Sequence, residues 1–220
     1  MKLKIGMLVA LIAIVGALYW LSVHSERVGM TGEQLKALGL VELPEPTDVG
    51  ELTLVDQDGN PFDGSALHGR WTYAFFGFTH CPDICPLTMS LLKQVEQRLN
   101  ETVDPSIARA FQGVFVTVDP ARDDSETVRE FIANFSPNFL GVTGTEEEIS
   151  ELAGKVAVGY TRIGSSDSRL EYLVEHQGHI VVFSPDGRCY GFIKPEHDTT
   201  QLVRIFLHLE RKGRLAESAA

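Results

Sequence analysis

The stretch WTYAFFGFTHCPDICPLTM, residues 71–89, joins a nearly uncharged aromatic run to two cysteines that lie four positions apart. The run 71–79 is typical of a central strand that is buried on both faces. Pro86 suits the first turn of a helix, and the apolar residues that follow it recur at every fourth position, as in a helix: Leu87, Leu91, Val95 and Leu99. Cys81 and Cys85 are therefore predicted to stand where a strand ends and a helix begins.

The rest of the chain alternates between strand and helix patterns. Residues 51–63 alternate in polarity around Asp58-Gly59, which predicts a hairpin near the start of the domain. Further strands are predicted at 113–118 and 139–144 and a closing hairpin at 179–193, with helices between them and a last helix over 199–211. This order predicts an α/β fold with a mainly parallel sheet and an antiparallel side, the outline of a thioredoxin-like fold with an N-terminal β-hairpin.

The N-terminal segment predicts a membrane anchor. Residues 5–23 are uncharged over 19 positions, and Lys2 and Lys4 precede them. We interpret 1–23 as a cytoplasmic tip and a single transmembrane helix, 24–50 as a linker, 51–212 as the domain and 213–220 as a tail. The short basic start is typical of bacteria, so we expect the inner membrane, with the domain in the periplasm; a cleaved signal peptide is the alternative. The net charge of -11 argues against nucleic-acid binding.

The two neighbouring cysteines allow several kinds of chemistry. A helix N-terminus stabilises thiolates, which favours reactive cysteines over inert buried ones. With three residues between them, Cys81 and Cys85 can reach one metal ion at about 2.3 Å from each sulfur. A redox-active disulfide between the same residues is also possible, because small backbone shifts bring the Cβ atoms close enough. Paired thiolates favour Cu(I), with zinc as the rival, while Cys189 is predicted to be a buried apolar residue.

A metal ion held by two cysteines calls for a third ligand from elsewhere in the fold. His176 and His179 precede the closing hairpin, and an odd spacing on one strand would turn them to opposite sides. Periodicity leaves the choice between them open. The other histidines are expected to be solvated, satisfied or, next to Cys81, poorly placed to bind with both sulfurs: His24, His68, His80, His197 and His208.

Three ordered motifs resemble the Sco/SenC family of copper chaperones: GFTHCPDICP, then VTVDPARD at 116–123, then YLVEHQGHIVVFSPDG at 172–187. Members are membrane-anchored, thioredoxin-like proteins associated with assembly of the Cu-A centre of cytochrome c oxidase. The resemblance covers roughly residues 45–212 and includes the anchor. It implies copper binding, as Cu(I) and Cu(II), by Cys81, Cys85 and His176. Glu175 stands where the family commonly has aspartate.

The leading hypothesis is therefore a copper chaperone that serves subunit II of cytochrome c oxidase. Its other partners would be a periplasmic copper donor and a thiol reductant. The alternative is a thiol-disulfide oxidoreductase that uses the same sulfurs and keeps the Cu-A cysteines reduced; a peroxidase is a weaker third hypothesis. Asp119 is expected either beside the metal ligands or as the cap of a strand. Asp83 is expected to orient the cysteine loop, contact a partner or form a plain turn.

Overall fold

The computed structural model describes residues 14–16, 30–163, 173–176 and 178–218, with backbone alone for 162–163, 173–176 and 217. The chain forms two units, residues 1–34 and 35–220, and the sheet described below belongs to the second. Among the described residues, no helix is long and apolar enough to cross a membrane. The predicted anchor at 5–23 lies outside these residues except for the helical turn 14–16.

The described elements follow the predicted alternation. The strands are β1 Leu40–Thr47, β2 Leu54–Asp56, β3 Pro61–Phe62, β4 Trp71–Gly77, β5 Phe111–Thr117, β6 Leu140–Thr143, β7 Tyr160–Ile163, β8 Leu173–His176, β9 Ile180–Phe183 and β10 Cys189–Ile193. The α-helices are α1 Gly32–Ala37, α2 Ile84–Thr102, α3 Pro105–Ala108, α4 Ser125–Ile132, α5 Glu146–Lys155 and α6 Thr199–Glu217. The main sheet has eight strands in the order β1-β10-β9-β4-β5-β6-β2-β3, and β7 and β8 form a second sheet.

The centre of the main sheet is built by β4 and β5, which run parallel and are buried at every position. Aromatic side chains on one of their faces meet the helices. Phe111 packs edge-on against Phe206 of α6, and Phe115 lies 4.7 Å from Phe131 of α4 between ring centroids. Each large apolar side chain buried here contributes roughly 1.5–3 kcal/mol. The burial fixes the carboxyl ends of β4 and β5, from which the candidate site is built.

Helix boundaries follow local signals that the sequence contains. The Asp124 side chain accepts a hydrogen bond from the Thr127 N–H and caps α4. Thr145 and Glu148 form a capping box at the start of α5. In α2, however, the buried face is made by Cys85, Thr88, Met89, Leu92, Val95 and Leu99, whereas Leu87 is exposed. A strict four-residue spacing drifts around a helix of 3.6 residues per turn, so the predicted stripe was only partly right.

Three sequence expectations need correction. The sheet is parallel only across β4, β5 and β6, because hairpins and returning strands join the other neighbours in antiparallel pairs. Part of the segment interpreted as a linker, 24–50, is β1, which pairs with β10 at the edge of the sheet. The last helix runs on to Glu217, through Gly213, where a Cβ would lie 3.7 Å from Trp71 Nε1.

Candidate metal centre

Cys81 and Cys85 meet at the junction between β4 and α2. Cys81 lies in the loop and is partly exposed, while Cys85 lies in the first turn of α2 and is completely buried. The Cys81 N–H donates to the Phe78 carbonyl at 3.2 Å, which closes the loop that leaves the strand. The two side chains are hydrogen-bonded to each other and both cysteines are free thiols. The structure thus brings together the two sulfur residues that the sequence predicts.

Gly77 provides the space for the buried sulfur. A Cβ at this position would lie 2.7 Å from Cys85 Sγ, 3.1 Å from a Phe75 ring carbon and 3.2 Å from a Phe115 ring carbon. A methyl group cannot fit at these distances, so the close packing of Cys85 against the end of β4 depends on glycine. The position of Sγ is therefore set by the central strands as well as by its own helix.

Burial changes the expected acidity of Cys85. Removal from solvent raises the pKa of the Cys85 thiol far above its ordinary value, and a backbone hydrogen bond from Phe78 opposes this only in part. The neighbouring Cys81 and the charge of Asp123 raise the pKa further. The helix N-terminus was expected to stabilise a thiolate here, but desolvation outweighs it. In the metal-free protein Cys85 is a protonated thiol at neutral pH.

Asp123 fastens the cysteine loop to the end of β5, a contact that the sequence analysis missed. Its Oδ2 accepts the Thr79 N–H at 2.8 Å and the Thr117 hydroxyl at 2.7 Å, and its Oδ1 accepts the Thr79 hydroxyl at 2.6 Å. The ring of His80, largely exposed, has Nδ1 3.0 Å from Thr79 Oγ1 and 3.7 Å from Asp123 Oδ1. Thr79 in GFTH and Thr117 in VTVD could have indicated this contact. Both stand near the carboxyl ends of neighbouring parallel strands, which meet at one edge of the sheet.

The other two acidic residues considered in the sequence occupy different environments. Asp119 is completely buried at the end of β5, and its carboxylate pairs with the guanidinium of Arg122. The Arg122 guanidinium also lies over the Phe78 ring, 5.8 Å from its centroid. Asp83 is exposed at the N-cap of α2, and its side chain makes no capping hydrogen bond there. Its carbonyl accepts the Leu87 N–H at 3.2 Å, so the Asp83 backbone shapes the start of the helix.

His176 ends β8, whose backbone pairs with β7 so that His176 stands opposite Tyr160. The structure describes the backbone of this residue but not its side chain. Two residues later the chain reaches the start of α2, because a Cβ on Gly178 would lie 3.8 Å from Ile84 Cγ1. Ile84 immediately precedes Cys85, so the turn that follows His176 approaches the first residue of the helix that carries Cys85.

The remaining histidines near this turn have other contacts. The ring of His179 lies 5.1 Å from the Phe192 ring between centroids. Because β8 ends at His176 and β9 begins at Ile180, His176 and His179 do not share a strand. The argument that an odd spacing turns them to opposite sides therefore does not apply. His197 Nε2 donates to the Gly178 carbonyl at 3.0 Å, and burial lowers the pKa of the His197 ring. His197 therefore anchors the turn that follows His176, a role that its sequence position gave no reason to expect.

The side chains that the structure describes do not form a complete metal site by themselves. Among these side chains, no group of three or more histidine, cysteine, aspartate or glutamate residues could hold a metal ion. The cysteine pair supplies two sulfur donors, which suit a soft ion such as Cu(I). A third donor from a residue such as His176 would come from the part of the chain whose side chains are not described.

A thioredoxin-like sheet with a dithiol at the strand-to-helix junction defines a class of proteins that carry redox or metal chemistry at this place. The SCO1/SenC family model matches residues 42–209, so the chain belongs to the SCO1/SenC family. This finding confirms the resemblance that the three motifs indicated.

Individual relatives agree with this assignment. A protein of Stutzerimonas stutzeri described as copper-binding is 35% identical over 163 residues, which are 74% of this chain and 77% of that one. A SCO2-like protein of Rickettsia prowazekii is 32% identical over 92% of this chain and 95% of its own length. ScoI of Arabidopsis thaliana, solved with copper bound, superposes with a TM-score of 0.66 at 33% identity, covering 74% of this chain and 98% of that chain. The fold comparison confirms the predicted thioredoxin-like architecture.

Proposed function

We propose that this protein binds copper through Cys81, Cys85 and His176 and delivers it to the Cu-A centre of cytochrome c oxidase subunit II. The observation that carries the proposal is that the turn after His176 approaches the start of the helix that holds Cys85, where Gly178 lies next to Ile84. Two thiolates and an imidazole suit both Cu(I) and Cu(II). Membership of the SCO1/SenC family and the description of relatives as copper-binding or copper-bound support the metal.

The chemistry proposed for the chain is ligand exchange. Cys81 is the more accessible thiol, so an incoming ligand from the target can approach it, while Cys85 stays enclosed against Gly77. Both thiols must lose their protons on binding, so loading requires the reduced dithiol. The donor of copper and the reductant of the dithiol would be periplasmic proteins. The domain would be held at the bacterial inner membrane by residues 5–23, as the uncharged run and its flanking lysines indicate.

The arrangement of the two thiols also favours a second function, thiol-disulfide exchange with the Cu-A cysteines of the oxidase. A partly exposed Cys81 and a buried Cys85 in hydrogen-bond contact are placed as an attacking and a resolving thiol. In that case Cys81 would attack the target disulfide, and Cys85 would then displace the reduced target while the Cys81–Cys85 disulfide forms. His176 would have no part in this reaction.

Copper titration of the reduced protein against a competing chelator, without oxygen, tests the first function. We expect one Cu(I) per chain, with binding lost in Cys81→Ser and Cys85→Ser. His176→Ala should weaken binding by at least about 100-fold, since even residues that only support a ligand cost 10–100-fold. Cys189→Ser and His179→Ala are the matched controls, because Cys189 is a buried thiol on β10 and His179 packs against Phe192.

Complementation of cells that lack the protein separates the two functions. We expect His176→Ala to leave the oxidase without copper at Cu-A while the dithiol still forms a disulfide in vitro. Full restoration of oxidase activity by His176→Ala, together with wild-type copper affinity, would overturn the chaperone assignment. If the protein reduced a disulfide of subunit II rapidly, and copper did not change the rate of this reduction, the oxidoreductase function would be supported instead.

A further inference from the structure

Two carboxylates that follow β5 are completely buried but have different partners. Asp119 pairs with the guanidinium of Arg122. Asp123 instead accepts hydrogen bonds from neutral donors, the Thr79 N–H and the hydroxyls of Thr79 and Thr117. The largely exposed ring of His80 lies 3.7 Å from its Oδ1 at Nδ1. Neutral donors stabilise a carboxylate but do not cancel its charge, so the two residues act differently on their surroundings.

The Asp123 contacts control where the cysteine loop begins. Both hydrogen bonds from Thr79 lie two residues before Cys81, and the Thr117 hydroxyl ties the same carboxylate to the last residue of β5. The Thr143 hydroxyl donates to the Asp123 carbonyl at 2.7 Å, which also fixes the Asp123 backbone to β6. Two strands, β5 and β6, thus hold Asp123 in position, and its carboxylate holds the cysteine loop.

The Asp123 carboxylate also lies close to the cysteine pair, since two of its hydrogen bonds come from Thr79, two residues before Cys81. The site lies in a poorly solvated region, since Cys85, Thr117 and Asp123 are all completely buried. A negative charge fixed in such a place interacts more strongly with a doubly charged than with a singly charged ion.

From this geometry we propose that Asp123 is a positioning residue that holds the cysteine loop and whose buried negative charge favours Cu(II) over Cu(I) at the dithiol. The proposal rests on the copper-binding function proposed above and adds a determinant of its oxidation-state preference. Asp123 does not itself bind the ion in this scheme; it acts through Thr79 and through its field.

Asp123→Asn tests the role of the charge. We expect the ratio of Cu(II) to Cu(I) affinity to fall about tenfold, the order of effect expected for one nearby charge at an effective dielectric constant near 20. Competition with a chelator gives the affinity for Cu(I). The affinity for Cu(II) is obtained from its binding and release rates, measured by rapid mixing before the dithiol oxidises. Asp124→Asn is the matched control, because Asp124 is exposed and caps α4, which asparagine also does well. An unchanged ratio in Asp123→Asn would overturn the charge effect.

Thr79→Val tests the positioning role in the metal-free protein and also serves if Asp123→Asn does not fold. This change removes the hydroxyl bond to Asp123 but keeps the carboxylate. Amide hydrogen exchange at Thr79 and Cys81 should then rise about tenfold, as expected for losing a hydrogen bond to a charged group. Exchange at the wild-type rate would refute positioning. Because this measurement needs no metal, it remains decisive even if the wild-type protein binds no copper and the proposed function fails.

Discussion

The cysteine loop, residues 78–85, and the histidine ribbon, formed by β7 and β8, supply the two halves of the proposed copper site in different ways. The loop leaves a fully buried strand, presses Cys85 against Gly77 and is fastened by Asp123. The ribbon is a separate two-stranded sheet in which Tyr160 pairs with His176. Changes to the cysteine loop, the sulfur half of the site, should therefore reduce stability. Changes that reach the histidine ribbon, the histidine half, should alter copper binding with little effect on folding.

Gly77→Ala should give the largest effect, because it adds a methyl group where the cysteine loop leaves the buried strand β4. The added Cβ would meet Cys85 Sγ at 2.7 Å and ring carbons of Phe75 and Phe115 at 3.1 and 3.2 Å. Overpacking of this kind costs about 1–3 kcal/mol. We expect urea unfolding to show that loss and copper titration to show a weakened site, because Sγ must move.

Gly154→Ala is the matched control for that substitution. Gly154 lies within α5, and a Cβ there would meet nothing within 4 Å. Alanine should therefore stabilise the helix by up to about 1 kcal/mol and leave copper binding unchanged. If Gly77→Ala were as stable as the wild type and bound copper equally well, the sulfur half would not depend on the central strands as described.

The same contrast explains what could be predicted from the sequence. β4, α2 and the cysteine junction follow from local signals, namely a buried aromatic run, proline and helical periodicity. The partnership of Asp123 with Thr79, 44 positions earlier, depends on two parallel strands ending at one sheet edge. The raised pKa of Cys85 likewise depends on burial by distant residues. The β7–β8 pairing was missed because it is a short ribbon outside the main sheet.

Ile84→Ala examines the place where the two halves meet. Ile84 is partly exposed and faces Gly178, two residues after His176. Removal of its outer carbons should loosen this contact and weaken copper binding several-fold, with a loss of stability below about 1 kcal/mol since the side chain is not fully buried. The affinity and the release rate of Cu(I) are the measurements.

Leu87→Ala provides the comparison for Ile84→Ala. Leu87 lies one turn further along α2 and is 53% exposed. Alanine here should leave both copper affinity and stability near wild type. Equal losses of affinity in the two variants would show that apolar surface on α2, rather than the contact with Gly178, supports the site.

The smallest expected effect concerns His197, which anchors Gly178 from the side of α6. Its Nε2 must be the donor because a carbonyl only accepts, and its Nδ1 is buried without a hydrogen-bond partner among the described residues. Burial lowers the pKa of His197 in the folded state, so the unfolded chain takes up a proton first as the pH falls. The stability from the neutral ring is complete above the unfolded pKa of about 6.5 and declines as the pH falls toward the lower folded value.

His197→Gln should make unfolding less dependent on pH in this window, because glutamine can still donate to Gly178 but does not titrate. The difference should stay well under about 1 kcal/mol, since the ring is only partly buried. His208→Gln is the comparison: burial and the charges of Arg211 and Lys212 lower the pKa of His208 as well, so this variant should also reduce the pH dependence, but it leaves the His197 hydrogen bond to Gly178 in place. At neutral pH, His197→Gln should keep copper affinity while His197→Ala, which has no donor for Gly178, weakens it. A copper affinity unchanged in both variants would show that the histidine half does not depend on this anchor.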